Sequence, residues 1–589
     1  MPRNDKDKNR KTGSNGCSCY KYDLFRDAVS VVLSKELKDD FDGSLIEVPP
    51  DHTFGDYAYP CFSLAKVFKK SPEQISEEIA VRLEKSLVGN KVIARAQNRG
   101  PYLNFFVEPS YLSKTIISAA IKKSRPELQK PGKKPEQKQI IEFSSPNTNK
   151  PLHLGHLRNI CLGESVSRLS ESIGNNVIRT CLVNDRGTHI CKSMLMYKKE
   201  GKGMEPDKKP DHFVGDFYVK YNELEKKDKG IEPEAQEMLR LWEAGDRETL
   251  TLWKKMKRWA VEGFNETYDE LGIRFDKFYY ESEIYKKGKD IVKTGLRKGV
   301  FKEEKGAIVA DLSKEKLPNK VLVRSDGTSI YMTQDIYLAK LKFKDYGADS
   351  SVYVVGSEQN LHFQQLFAIL KLLGFSYAER CYHLSYGMVY LPSGKMKSRE
   401  GVVVDADDII SQMKDIALKE IRKRYRIRKA EAERRAAKIG LSALKFYLLM
   451  TDPGKDMTFN PEESISFEGE TGPYVQYTYA RASSILRKYN KKIDKNIDYT
   501  TYGDDELVLI KKMGAYHNTL VDAACSYKPS IVCRYLLDLC QIFNEYYHKT
   551  PVLKAEEAQM KARLLIVMGV RNILASGLKK LGIDVLPVM

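Results

Sequence analysis

The chain has 589 residues, with 98 Lys and Arg against 79 Asp and Glu, a net charge of +19. At 42% hydrophobic and 30% charged it is neither a wholly disordered chain nor a membrane-spanning bundle, and its length suits about four structural units. Its richest apolar runs, LSALKFYLLM (441–450) and LLIVMGV (564–570), fall short of the roughly 20 residues of a membrane helix. A surplus of positive charge attracts polyanions, most often a phosphate backbone.

In chain order, residues 1–19 read as a basic tail; MPRNDKDKNRKTG lacks the apolar core of a secretory signal. Ten scattered cysteines form no CxxC pair, and Cys17 and Cys19 lack a second half-site for zinc, so free thiols in a reducing cytoplasm and no structural metal are expected. Residues 20–120 read as a small α/β unit: helical spacing in LFRDAVSVVLSKEL (24–37), a Ser/Pro helix start at 71, then strand-like VIARAQ and YLNFFVE about a turn at 98–101. A Lys-, Pro- and Gln-rich linker follows (121–138).

QIIEF (139–143) then opens a strand, a Pro/Asn/Gly/His-rich loop, a helix with apolar Leu157, Ile160, Cys161, Val166, Leu169 and Ile173 that stops at Gly174, and a second strand, NVIRTCLVND (176–185). That succession is a βαβ unit with a parallel sheet. Residues 196–275, with Trp242 and Trp253, read as a helical insertion. Strand signals return in GAIVADL, KVLVRS, SVYVVGS and HLSYGMVYL, and from 405 onward the chain reads as helix.

The most informative stretch is EFSSPNTNKPLHLGHLRN (142–159). His153 and His156 flank Gly155 at a helix start, where free N–H groups and a partial positive charge suit phosphate, and glycine admits a close backbone approach. GKMKSREG (394–401) is a Gly-bounded cationic loop whose Lys395, Lys397 and Arg399 can neutralise charge on a reacting phosphate.

These two stretches resemble the "HIGH" and "KMSKS" signatures of class I aminoacyl-tRNA synthetases. SDGTSIYMTQD (325–335), GSEQNLHFQQ (356–365), TGPYVQYTYARASSILRK (471–488), FGDYAYPCFSLAK (54–66) and RGPYLNFFV (99–107) narrow the resemblance to the arginyl-tRNA synthetases, in order over about residues 20–589. The fold implied is α/β: a Rossmann-type parallel-sheet catalytic domain (139–404), a small N-terminal α/β domain (20–120) meeting the tRNA D-loop, and a C-terminal all-helical anticodon-binding bundle (405–589).

The resemblance implies ATP with Mg²⁺, L-arginine and tRNA(Arg) as substrates of a cytoplasmic monomer, with no membrane partner. Charge in adenylate formation falls to Lys150, His153, His156, Lys395 and Lys397, and ATP contacts to His153, Gly155, His156, His362, Lys395, Met396, Lys397 and Ser398. Ser398 stands where the signature has its second lysine, and Lys150 substitutes for it. Glu281, Tyr331 and Asp335 match the guanidinium site, and Glu142, Asn147 and Gln359 the α-amino and carboxylate end. Tyr102 and Asn104 match D-loop contacts; Tyr474, Tyr477, Arg481 and Met589 match anticodon contacts, although the ending LGIDVLPVM keeps only Met589 of the family's usual terminus. The basic run 419–438 reads as a rail for the tRNA stem.

Three alternatives stand beside this reading. A small nucleotidyltransferase shares the H-x-G-H site but lacks the flanking regions. A catalytically idle RNA-binding paralogue would lose ATP–pyrophosphate exchange. A cysteinyl or glutaminyl synthetase keeps the fold and changes the pocket.

Overall fold

The computed structural model describes residues 23–122, 137–392 and 404–589, apart from Lys202, Lys229 and Ser329. The expected tail (1–19), most of the expected linker, and Lys395, Met396, Lys397 and Ser398 lie outside these residues.

Near the N-terminus, spacing translates directly into structure. Helix Leu24–Leu37 buries Phe25, Val29, Leu33 and Leu37, one residue in four. Ser71 caps helix Pro72–Ser86 reciprocally: its hydroxyl accepts from the Gln74 N–H, and the Gln74 side chain accepts from the Ser71 N–H. Gly100, at φ +55°, lets Ile93–Arg99 turn back as Tyr102–Val107, and Tyr57–Pro60 pairs with the far side of that hairpin.

The central layer is a five-stranded parallel sheet in the order Cys381–Tyr386, Ser350–Gly356, Lys138–Glu142, Asn176–Val183, Lys277–Tyr280. QIIEF supplies the middle strand, with Ile140 and Ile141 fully enclosed, as a strand covered on both faces must be. From that strand the chain winds first to one side and later to the other. The reversal opens a crevice at the carboxyl ends of Lys138–Glu142 and Ser350–Gly356, where such sheets bind ligands. GAIVADL and KVLVRS do not join this sheet. They pair antiparallel with each other, and the first of them also with Lys302–Glu304, because the short connections between them allow hairpins but no parallel crossover.

The helical insertion starts earlier than its composition suggested, at Thr188–Met196, and continues through Pro210–Lys227, Ile231–Ala244 and Arg247–Leu271. It has its own core, in which Trp259 joins Trp242 and Trp253. From Ala406 on, helices dominate as expected, and their core is continuous with that of the N-terminal unit and the sheet. Among the described residues no helix is long and apolar enough to cross a membrane.

Helix Leu154–Ser172 lies flush on the end of the middle strand: a Cβ built at Gly163 would come within 2.3 Å of Phe143 Cγ. Gly163→Ala is therefore expected to destabilise the protein by about 1–3 kcal/mol, read as a lower urea midpoint with normal far-UV circular dichroism.

Candidate active site

The loop into the His153 helix is held under backbone strain. Ser144 (φ +73°) and Ser145 (φ +49°) both occupy the left-handed region, at about 1–3 kcal/mol each. Partners offset this: Asn159 Oδ1 accepts the Ser144 N–H at 2.5 Å, and Asn159 Nδ2 donates to Val354 O at 2.7 Å. On the other side Thr148 N donates to Asn184 O, and Asn184 N to Pro146 O. The loop thus bridges the carboxyl ends of three strands and delivers Lys150 and His153 to the crevice.

His153 is the helix N-cap, and its Nδ1 accepts the Gly155 N–H at 3.1 Å. The His153 N–H in turn donates to His156 Nδ1 at 3.2 Å, with the two rings 3.9 Å apart. Gly155 does more here than admit a ligand: a Cβ there would sit 3.0 Å from His153 Cε1. Burial, and then the Lys150 charge, push His153 down to about 4; burial, His153 and Lys150 push His156 well below the usual histidine range. Burial also lowers Lys150. Both rings are neutral at pH 7, and both Nδ1 atoms accept, so each ring carries its proton on Nε2. Two N–H donors therefore stand at a helix N-terminus beside a lysine. A cavity of about 690 Å³ adjoins them, lined by Asn147, Lys150, His153, His189, Lys192 and Asp405 among others.

Of the carboxylates matched to arginine, Glu142 ends the middle strand, Glu281 follows the edge strand Lys277–Tyr280, and Asp335 lies in the first turns of helix Tyr331–Tyr346. Glu281 follows strand Lys277–Tyr280 and is 3% exposed. Burial raises it to about 7; Arg186 pulls it down, Asp185 and Asp335 push it up, and Gln334 donates a hydrogen bond to it. Asp335 Oδ2 lies 2.6 Å from His362 Nε2, so the histidine expected at adenine meets the aspartate expected at the guanidinium. Tyr331 is 68% exposed, and its phenol is raised by burial and then by the Glu281 charge. Glu142 is already engaged: the fully buried Lys342 donates to its Oε2 at 3.1 Å, and burial raises its pKa. Asn147 and Gln359 are exposed at the rim, after the strand ends.

Away from the sheet, Tyr477, Arg481 and Met589 line one groove of about 590 Å³ with Tyr547, His548 and Lys554. Tyr474 lies outside that lining, and its hydroxyl accepts from Asn544 Nδ2. Tyr102 is half-buried, edge-on to the exposed Phe62 at 5.7 Å. Asn104 is 3% exposed, because the central strand of its sheet turns that side chain inward, at odds with a residue expected to reach a base edge.

Three family models match the chain in succession: the arginyl tRNA synthetase N-terminal domain over 23–107, the catalytic domain of class I (R) tRNA synthetases over 117–460, and the DALR anticodon binding domain over 475–589. The chain belongs to the arginyl-tRNA synthetases. Its relatives include the arginine–tRNA ligases of Treponema denticola (44% identical, 92% of this chain and 94% of that one) and Parabacteroides distasonis (43%, 89% and 92%). The arginyl-tRNA synthetase of Thermus thermophilus superposes with a TM-score of 0.80 at 27% identity, over 96% of this chain and all of that one. This is a class I aminoacyl-tRNA synthetase fold, with the parallel-sheet domain flanked by the two added units.

Sequence reading missed several residues that hold the candidate site together. Asp185, fully buried, accepts the Ser282 N–H at 2.9 Å and the Lys257 ammonium at 2.9 Å, fixing both the Glu281 turn and the insertion. Only its place just after a strand hinted at this. Lys342 carried no signal at all. The cluster Asp211, His212 and Asp407 has the spacing of a cation site, but Lys209 fills it: its ammonium donates to Asp211 and to Asp407, which also meets His212 at 2.7 Å. It joins the insertion to the start of helix Ala406–Arg424 as an ion-pair network. The cavity beside His153 is lined by Lys150, His189 and Lys192 as well as by Asp216, Glu225 and Asp405, so Mg²⁺ would fit there as a companion of bound phosphates.

Proposed function

We propose that, in joining arginine to tRNA through an aminoacyl-adenylate, this synthetase holds the ATP phosphates with the Nε2–H groups of His153 and His156, with Lys150, and with Lys395 and Lys397 of the KMKSR stretch. Glu281, Asp335 and Tyr331 take the guanidinium. The observation that carries this reading is the linked pair of histidines at a helix N-terminus, Nδ1 of each taken up as an acceptor so that Nε2 is left to donate, together with the nearly enclosed Glu281 carboxyl after a strand of the same sheet.

The arginine carboxylate attacks the α-phosphorus in line, and the bond to the bridging oxygen of pyrophosphate breaks. The protein contributes positioning and charge stabilisation, and none of its residues is a nucleophile. Mg²⁺, when bound together with ATP, would neutralise part of the phosphate charge beside Lys150, His153 and His156. A ribose hydroxyl of the terminal tRNA adenosine then attacks the carbonyl carbon of the adenylate, and AMP leaves. His362 orients Asp335 rather than lining the adenine. Glu142, with its charge answered by Lys342, orders the floor of the pocket near Asn147 and Gln359.

Activation waits on bound tRNA, and the enzyme works as a cytoplasmic monomer; the thiols of Cys61, Cys161, Cys181, Cys191, Cys533 and Cys540 are buried and in no disulfide, in keeping with a reducing compartment. Tyr477, Arg481 and Met589 receive the anticodon loop in their shared groove, and Tyr102 with Phe62 offers aromatic faces to the D-loop. The exposed Arg422, Arg426 and Arg428 support a stem contact. Tyr477→Ala is expected to raise KM for tRNA by about 10-fold, the worth of one stacked base, with tRNA-saturated kcat unchanged in aminoacylation assays.

The test is ATP–pyrophosphate exchange across twenty amino acids, with and without tRNA. Exchange with arginine alone, and only when tRNA is present, is expected. Exchange with another amino acid would overturn the pocket assignment.

A further inference from the structure

The pocket assigned to a guanidinium has a guanidinium of its own beside it. Arg186 follows strand Asn176–Val183 in the stretch VNDRG, and the bonds around it place it at the Glu281 turn. The residue before it, Asp185, accepts the N–H and the hydroxyl of Ser282, the residue after Glu281, at 2.9 and 2.8 Å. Tyr285 closes the same turn, its N–H donating to Glu281 O at 3.1 Å. The guanidinium carbon of Arg186 stands 4.0 Å over the centre of the Tyr285 ring. Its charge also reaches the carboxyl: burial raises Glu281, and Arg186 is the first group to oppose that rise.

An arginine in that place is a rival of the substrate. It is permanently charged, and its planar fork fits a carboxylate as well as the fork of free arginine does. Being attached, it competes at the effective concentration of an intramolecular group. It has donors to spare, because its buried Nε–H has no acceptor among the described residues, and an enclosed donor left unpaired is costly. Asp185 is committed to Ser282 and to the Lys257 ammonium, and Asp335 to His362. Glu281 is the carboxylate that a loose Arg186 would take.

What restrains Arg186 is Glu243, in the last turn of helix Ile231–Ala244 of the insertion, whose carboxylate accepts from the Nη2 arm of the fork. Its neighbour Trp242 faces Tyr285 with ring centres 5.7 Å apart, and the guanidinium carbon lies 5.8 Å from the Trp242 ring. The two rings and the carboxylate together define one seat for the side chain. With 44% of its side chain exposed, Glu243 adds little to stability as an ion pair. What it supplies is direction.

We propose that Glu243 is a specificity-determining positioning residue: by pairing with Arg186 against Tyr285 and Trp242 it keeps an internal guanidinium off Glu281, and so leaves that carboxylate open to the guanidinium of the substrate. The inference rests on the reading of Glu281 as a guanidinium acceptor.

The test breaks the pair from each side in turn. The full-length enzyme is assayed for exchange with tRNA present, and KM for arginine and for ATP is followed from pH 6 to 9. Glu243→Gln, at an exposed position, frees Arg186. KM for arginine is expected to rise about 10-fold above pH 7, as for a pocket open about one-tenth of the time. Its inflection should fall below the wild-type value near 7, because Glu281 gains a cation. KM for ATP should stay within about twofold. Arg186→Met breaks the same pair and keeps an apolar stem on the rings, but removes the rival. On the alkaline plateau its KM for arginine should be no higher than wild type, and its inflection should move above 7. In the double variant, Glu243→Gln should add nothing to Arg186→Met. Glu281 also faces Asp185 with Lys257, Asp335 with His362, and the Tyr331 phenol; neither substitution touches these.

An ion pair that only tied the insertion to the sheet would give both single variants the same defect. That result, a KM for ATP that rises with KM for arginine, or a wild-type KM for arginine in Glu243→Gln would overturn the proposal. If Arg186→Met does not fold, the direction of the inflection in Glu243→Gln still decides. Glu281→Gln, assayed alongside, separates the two readings. If it leaves KM for arginine unchanged, the pocket reading falls and this one with it; if it raises KM while Glu243→Gln does not, only this one falls.

Discussion

Replacing His156 with alanine is expected to cut kcat for arginine-dependent ATP–pyrophosphate exchange by about 10²–10³-fold, the usual cost of one preorganised donor to a developing negative charge. KM for arginine should change little, because the ring faces the nucleotide and the carboxylate pocket is built elsewhere. The reason for so large an effect is preorganisation. His156 Nδ1 is committed to the His153 N–H, so the ring cannot rotate to save its proton and Nε2–H is held in one direction. His153→Ala should cost as much in rate and a further ~1 kcal/mol in stability, since it also removes the helix cap. His153→Asn keeps a capping acceptor without the reach of Nε2, and so separates the two losses. The pH profile offers a second check. With His153 at about 4 and His156 also pushed well below the usual histidine range by burial, neither ring titrates between pH 6 and 8, and neither contributes a slope to kcat there. Both rings have depressed folded values, so they stabilise the fold above about pH 6.5, the ordinary histidine value, and lose that contribution as pH falls towards 4. A histidine-like inflection near pH 6.5 that disappears in His156→Ala would contradict the neutral-ring assignment.

How much of this was legible beforehand depended on whether local chemistry or long-range packing placed the residue. His153, Gly155 and His156 are neighbours in the chain, so their spacing alone brings them together at a helix start. The Ser71 cap and the Gly100 turn are local in the same sense. Helix and strand periodicity likewise marked the middle strand, its helix and the C-terminal helices. Partners distant in sequence were not legible. Lys342 meets Glu142 across two hundred residues, and no pattern near either residue announces a buried pair. Asp335 and His362 were each singled out, but for different pockets, because only the sheet topology brings them within 2.6 Å. Asn104 failed for a simpler reason: alternation along a short strand does not say which face is covered. Arg158 lay in plain view as one more basic residue, and its burial depends on two loops that arrive more than two hundred residues later.

The acidic pocket leads to the second large effect, and to one with opposite signs in binding and in stability. Glu281 is nearly enclosed and raised to about 7; burial is the first cause, Asp185 and Asp335 add to it, and Arg186 opposes it. At pH 6 the free enzyme therefore holds this carboxyl mostly protonated, whereas a bound guanidinium needs the carboxylate. Arginine affinity should rise with pH up to about 7 and then level off, and binding near neutrality should release a proton. Calorimetry in buffers of different ionisation enthalpy would show that release. Glu281→Gln should raise KM for arginine by about 100-fold, as expected when one partner of a desolvated charge pair is lost, and should abolish the proton release. The sign for stability is reversed. A carboxyl whose folded value is raised stabilises the fold below its unfolded value, and this contribution is lost as pH climbs through about 7. From the ordinary glutamate value of 4.5 to about 7, the loss amounts to about 3 kcal/mol. The glutamine variant has no such titration. It should match wild type near pH 5 and unfold at higher urea than wild type at pH 8, a gain that arginine binding to the wild-type pocket would oppose. Equal urea midpoints at pH 8 would mean that Glu281 is not held near 7 in the free enzyme, and the pH dependence of arginine binding would then have to come from another group.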